Sequence, residues 1–152
     1  MQVEFRECDF FDLWIWVELE TVPSQMEQQY LEEVFSSWFF LGKLGGFNAE
    51  NLQVQETGLE ISYMDYEMDV VDNVMMSVMH NMSAVEYEGM WARCWFDLGT
   101  TDALALDVLV NAIAQLNQDF VAIRSLKIGG ENPDWPIPGD HRSSFYEQDY
   151  DA

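Results

Sequence analysis

Four carboxylates close together in the chain could hold a divalent cation. Asp65, Glu67, Asp69 and Asp72 fall in one short segment, and Ca²⁺ and Mg²⁺ prefer oxygen ligands. The segment lacks the central glycine and the terminal glutamate of an EF-hand loop. A solvated acidic loop is therefore favoured, and we predict no metal ligand.

The histidines and the glycine-rich loop show no pattern typical of catalysis. His80 and His141 do not occur in HxxE, HExxH or HxH spacing, and no serine or cysteine stands beside a histidine. Gly42–Asn48 ends a predicted helix rather than opening one, so its N–H groups would not face a phosphate. We predict no catalytic residues and no cofactor, and we favour a non-enzymatic function. The enzymatic alternative is a cation-dependent enzyme that acts on a small molecule.

Two segments of the chain hold four tryptophans in patterns typical of β-strands. They are Leu13–Val17 and Trp91–Phe96, and aromatic and β-branched residues favour strands. Because side chains alternate between the two faces of a strand, each segment has a plain apolar face and a tryptophan face. We define the tryptophan face by Trp14, Trp16, Trp91, Arg93 and Trp95.

The tryptophan face has three interpretations at this stage. A methionine-rich insertion could cover it as a second small core, since methionine favours aromatic contacts. It could instead be an open face for a protein partner, because tryptophan and arginine are enriched at interfaces. The third interpretation is base stacking, as in RNA-binding sheets. We expect the protein-binding role, in which these five residues contact a basic or apolar segment of the partner.

The net charge limits the partners that this chain can attract. The chain has 28 acidic and 6 basic residues, a formal net charge of −22. Such a chain is repelled by nucleic acids and by anionic membranes, and it attracts basic protein segments. The charge also keeps an aromatic-rich protein soluble. We therefore expect a protein partner or a homodimer, and no nucleic acid.

Length and cysteine content point to one domain in a reducing compartment. The chain has 152 residues, enough for one domain with a sizeable core. Cys8 and Cys94 form no CxxC motif and no disulfide framework. We expect no secretory signal and no membrane span, and hence a cytoplasmic protein.

The first half of the chain predicts a strand, a helix and a hairpin. Ser24 and Glu27 have the spacing of a capping box. Apolar residues recur at helical spacing until Gly45-Gly46 ends the segment. Residues 52–63 alternate like a hairpin or a broken edge strand. The pattern from Val70 to Met82 fits a helix or an extended segment, and we predict a helix because methionine is a good helix former.

The second half predicts a strand, a helix and a strand. The strand runs from about Val85 to Leu98, and a threonine N-cap before Asp102 starts the helix. Residues 120–128 are predicted as a final strand. The tail holds Pro133, Pro136 and Pro138, and its last residues, 147–151, are expected to be loose.

This order of elements is typical of an α+β, ferredoxin-like split βαβ fold. Such a fold has one antiparallel sheet with two helices on a single face. We predict one domain over residues 1–130, with an insertion at about 64–84, and an acidic, proline-containing tail at 131–152. The first and third strands of this fold are central neighbours, so the two tryptophan segments should lie side by side.

Several longer strings resemble a known family. They are Gln29–Phe35, Gly42–Asn48, Met79–Met82, Trp91–Trp95 and Asp97–Asp102. Taken together, they are similar to a domain-of-unknown-function family of cyanobacteria and plant plastids. The resemblance implies a cyanobacterial cytosol or plastid stroma, and an auxiliary or assembly role. It supplies no catalytic residues.

Overall fold

The described part of the chain is a mixed α+β structure in which one sheet carries two helices. A computed structural model describes residues 1–47 and 78–131, together with the backbone of 147–149. The helices are α1 (Gln25–Lys43) and α2 (Leu104–Asp119). The strands are β1 (Gln2–Phe5), β2 (Leu13–Leu19), β3 (Asn81–Met82), β4 (Glu86–Glu88), β5 (Trp91–Asp97), β6 (Ile123–Ile128) and β7 (Glu147–Asp149).

Strand β2 lies at the centre of the sheet, antiparallel to both β5 and β6. Strands β3 and β4 both pair with the outer edge of β5. On the other side, β1 runs parallel to β6, and β7 runs antiparallel to β1. Because β2 has a neighbouring strand on each side, its side chains lie in the middle of both faces of the sheet.

Helix α1 begins where the sequence predicts. The Ser24 side chain accepts a hydrogen bond from the Glu27 amide at 3.1 Å, and the Glu27 carboxylate accepts one from the Ser24 amide at 3.0 Å. This reciprocal capping box is formed as predicted. The helix ends near Gly45, whose φ of 81° lies in the left-handed region that favours glycine.

Helix α2 begins differently from the prediction. Its N-cap is Ala103, which makes no side-chain cap, so the predicted threonine cap is wrong. The Asp102 carboxylate instead accepts a hydrogen bond from the Leu104 amide at 3.1 Å. A carboxylate near the positive end of the helix dipole performs part of the role expected of the threonine.

The main core lies between the helices and one face of the sheet. Phe96 of β5 stands at its centre, with its ring 5.6 Å from that of Phe35 and 5.0 Å from that of Trp38. The Trp38 indole donates a hydrogen bond to the Ala105 carbonyl at 2.8 Å. This buried bond joins α1 to α2 across the core and satisfies a polar group that would otherwise be costly to bury.

The predicted strand from Val85 to Leu98 is in fact a hairpin. It consists of β4 and β5, which pair with each other. The turn between them contains Gly89, whose φ is 57°. Glycine reaches this conformation without steric cost, so it allows the chain to reverse.

The predicted helix from Val70 to Met82 is wrong at its end, since Asn81–Met82 is a strand paired with β5. Met79 is fully buried in the main core. The remainder of that prediction, the 52–63 hairpin and most of the proposed insertion at 64–84 lie outside the described residues. Strand β1 lies where no element was predicted.

The expected loose end of the tail is wrong for residues 147–149. Their backbone pairs with β1 as strand β7. Among the described residues, no helix is long and apolar enough to cross a membrane.

Replacement of Phe96 by alanine tests the position of the core. Phe96 is fully buried, so we expect Phe96→Ala to lower the free energy of unfolding by about 3–5 kcal/mol. Phe11 is 58% exposed, and Phe11→Ala should stay within about 0.5 kcal/mol of wild type. Urea denaturation measures both, and equal losses in the two variants would contradict this placement.

Candidate binding surface on the tryptophan face

The register between β2 and β5 brings the tryptophans together on one face. Trp14 lies opposite Trp95, Trp16 opposite Arg93 and Glu18 opposite Trp91. The predicted pairing of the two tryptophan segments is thereby confirmed. The main core lies on the other face, where Ile15 is opposite Cys94.

The tryptophan face has a buried floor and a half-buried rim. Trp16 is 1% exposed and Trp91 is 7% exposed, whereas Trp14 and Trp95 are half-buried. The Trp16 ring lies 6.2 Å from that of Trp14 and meets Trp91 edge-on at 6.5 Å. These contacts form an aromatic cluster separate from the main core. A ligand at this surface would therefore touch Trp14 and Trp95 more than Trp16 and Trp91.

Arg93 connects the aromatic cluster to the acidic surface. Its guanidinium carbon lies 4.9 Å from the ring centre of Trp14 and 5.3 Å from that of Trp16. Its Nε donates to Glu86 at 3.0 Å. An arginine over an indole gains about 0.5–2 kcal/mol, depending on exposure. The arrangement fixes the orientation of both groups and shows that these indoles accommodate a cation.

A carboxylate lies directly beside the half-buried Trp95. The indole Nε1 of Trp95 donates a hydrogen bond to Asp12 Oδ1 at 2.6 Å. Asp12 is exposed, just before β2, and 83 positions separate it from Trp95. The pair presents an aromatic surface and a negative charge side by side. That combination favours a cationic side chain, which gains from both.

The face continues across β6 and β1 as paired charges. Lys127, opposite Trp16, donates to Glu4 at 3.0 Å, and the side chains are only 14% and 3% exposed. Just after the end of β2, Glu20 lies 3.1 Å from Arg124, and both side chains are exposed to solvent. The sequence patterns did not identify Asp12, Glu86, Glu4 or Lys127 as site residues. Glu4 is the one exception for which a signal exists, because its alternation with Val3 and Phe5 indicates a strand.

The other candidate chemical groups of the sequence lie apart from this surface or outside the described residues. His80 Nδ1 lies 3.4 Å from Asp97 Oδ1 at the sheet edge. In the described ranges, no group of three His, Cys, Asp or Glu side chains is placed to hold a metal ion. The acidic segment around Asp65–Asp72 and His141 are not among the described residues.

The two cysteines are free thiols. Burial raises the pKa of the Cys94 thiol to about 12, although hydrogen bonds from its surroundings oppose the effect. Cys8 also has a raised pKa, chiefly through burial and despite the nearby Arg6. A protonated thiol is a poor nucleophile. Burial therefore disfavours the reactive thiolate form of both cysteines.

The fold and this surface define a mixed α+β protein with an aromatic and acidic sheet face. The chain belongs to the family described as protein of unknown function (DUF3531), whose model matches residues 1–143. This agrees with the resemblance to a domain-of-unknown-function family. Comparisons with curated proteins and with solved structures gave no significant match.

Removal of one member of the buried ion pair should destabilise the protein strongly. In Lys127→Met, the Glu4 carboxylate stays buried without its cation, and we expect a loss of about 3–5 kcal/mol in the free energy of unfolding. The double variant Glu4→Met, Lys127→Met should recover most of this loss.

The matched control for that experiment is Arg124→Met, which breaks the exposed pair with Glu20. We expect it to cost less than about 1 kcal/mol. Urea denaturation measures all three variants. A Lys127→Met effect as small as that of Arg124→Met would show that the buried pair contributes little.

The thiol of Cys94 should resist modification in the folded protein. At pH 8 we expect iodoacetamide to label Cys94 only after unfolding, because its pKa of about 12 leaves almost no thiolate. Between the ordinary pKa near 9 and about 12, the unfolded state loses this proton and the folded state keeps it. The contribution of Cys94 to stability should therefore fall as the pH rises through that range. Mass spectrometry of labelled peptides checks the first expectation, and rapid native labelling of Cys94 would refute it.

Proposed function

We propose that this protein is a non-enzymatic interaction module that binds a basic, partly apolar segment of a partner protein on the tryptophan face. Trp14, Arg93 and Trp95 form the contact rim, and Trp16 and Trp91 form the floor beneath it. The observation that carries the proposal is the 2.6 Å hydrogen bond from Trp95 to Asp12. It places a carboxylate beside a half-buried aromatic ring, which is a favourable position for an arginine or lysine of the partner.

The charges around the face support a basic partner. The described cations that contact this face, Arg93, Arg124 and Lys127, each lie within 3.1 Å of a carboxylate of the same chain. The cations of the face are thus already matched, and the net charge of −22 leaves a large excess of carboxylates over the whole chain. Complementary charge accelerates association and discriminates against acidic partners.

The fold of the module is proposed to be an elaborated ferredoxin-like fold. In the order β6, β2, β5 and then β3 with β4, neighbouring strands are antiparallel. This order supports a split βαβ arrangement, to which β1 and β7 would add one further edge. A methionine-rich insertion at about 64–84 belongs to the same proposal.

The setting follows from the sequence resemblance alone. We propose that the module acts in a cyanobacterial cytosol or plastid stroma, as an auxiliary or assembly factor. The absence of an assigned reaction in the matched family neither adds to this proposal nor detracts from it.

Tryptophan fluorescence with defined peptides tests the proposed function. The probe is a peptide of repeated Arg-Leu-Arg with interspersed prolines, which cannot form a helix. We expect saturable binding that weakens with added salt, and at least a tenfold loss in the double variant Trp14→Ala, Trp95→Ala. The matched peptide with glutamate in place of arginine should not bind.

The control variant is Val22→Ala, which alters a side chain that is 68% exposed in the loop after β2. It should bind the arginine peptide as wild type does. Equal affinity of the double tryptophan variant and Val22→Ala would overturn the proposed site. Equal binding of the arginine and glutamate peptides would overturn the charge preference.

A further inference from the structure

The outer side of the two helices, away from the sheet, carries an apolar groove. Tyr30 near the start of α1 stacks on Phe120 at the end of α2, with ring centres 4.9 Å apart. Trp38, further along α1, donates its indole hydrogen bond to Ala105 at the start of α2. The helices therefore run antiparallel, and the groove lies between them.

Each helix contributes one stripe of residues to the groove, which has a volume of about 490 Å³. The stripe on α2 is Val108, Ala112 and Leu116, at intervals of one helical turn, followed by Phe120. The stripe on α1 runs from Tyr30 to Leu41. At 1.5 Å per residue, each stripe is about 16–18 Å long, or roughly three helical turns.

The walls of the groove are open to solvent although they are apolar. Leu41 is 51% exposed, Val108 is 38% exposed and Phe120 is 59% exposed, whereas Trp38 at the floor is 3% exposed. A contiguous exposed apolar surface of this kind marks an interaction site more often than a solitary exposed side chain does.

We propose that this groove binds an amphipathic basic helix of a partner protein. An apolar channel about three turns long fits a helix that inserts side chains at positions i, i+3, i+4 and i+7. The inference is independent of the tryptophan face, which lies on the opposite side of the sheet.

The charges on α1 and α2 select the basic partner. The only cation on these two helices is Lys43. Glu33 lines the groove itself and is exposed. The full set of acidic residues on the two helices is Glu27, Glu32, Glu33, Asp107 and Asp119. A lysine-rich helix would have its apolar stripe in the groove and a cation opposite Glu33.

The same charges disfavour two other occupants. A second copy of the chain would bring together two molecules of formal net charge −22, and like charges across an interface are costly. A fatty acid would bring a carboxylate to a groove whose described lining contains Glu33 and no cation. The basic helix is the occupant that both the shape and the charge of the groove favour.

Fluorescence anisotropy with a designed helix tests the inference. The probe is a labelled 18-residue peptide with leucines at i, i+3, i+4 and i+7 and lysines elsewhere. We expect Leu41→Gln and Phe120→Gln each to weaken binding about tenfold, because each removes an apolar wall without changing the charge. Glu33→Gln should weaken binding less and should reduce its salt dependence.

The matched control is Met26→Gln, since Met26 is 62% exposed on α1 and does not line the groove. It should bind within twofold of wild type. Circular dichroism confirms that the variants are folded, and if Leu41→Gln unfolds the protein, Phe120→Gln decides the outcome.

Three results would overturn the inference. The first is an equal loss of affinity in Met26→Gln and in the groove variants. The second is loss of helix binding in Trp14→Ala, Trp95→Ala, which would move the site to the tryptophan face. The third is a wild-type dimer in sedimentation equilibrium that Leu41→Gln dissociates, which would identify a second copy as the occupant.

Discussion

The position of β2 between β5 and β6 is the constraint on which the rest of the structure depends. A central strand has no free edge, and five of its seven residues are buried. The helix layer therefore covers Leu13, Ile15 and Val17. On the other face, aromatic and charged side chains surround Trp16. Since side chains alternate strictly along a strand, a shift of one residue would exchange the two sets. The register thus fixes the core and the tryptophan face together.

The two proposed surfaces differ in how their carboxylates are placed relative to apolar side chains. On the tryptophan face, a carboxylate lies beside an individual indole, and the geometry suits single cationic side chains. In the groove between the helices, Glu33 lines a long apolar channel, and the geometry suits a whole amphipathic element. Because the surfaces lie on opposite sides of the sheet, one chain has room for two contacts at once. Linked contacts raise the overall affinity without any new interaction at either site.

The parts of the fold that depend on neighbouring residues could be predicted, and those that depend on distant ones could not. The capping box of Ser24 and Glu27 and the alternation around Trp14 and Trp91 are local signals. The hydrogen bond between Asp12 and Trp95 joins residues 83 positions apart, and nothing in either neighbourhood indicates it. Strand β1 alternates polar and apolar residues, but with only four residues this local signal is weak, and pairing with the distant β6 completes the strand. The threonine cap was wrong because the helix begins later, at Leu104, whose amide donates to the carboxylate of Asp102.

The pairing of β1 has a consequence for the order in which the protein can assemble during synthesis. Gln2–Phe5 lies between Ser125–Ile128 and Glu147–Asp149, so β1 pairs with strands that are synthesised more than 100 residues after it. Until those residues leave the ribosome, β1 has no backbone partners, and β2 lacks its pairing with β6. Such long-range closure slows folding, and unpaired strand edges invite aggregation in the interval. The nascent chain is therefore expected to be most vulnerable until β6 has been synthesised, and the charge repulsion between acidic chains counteracts that risk.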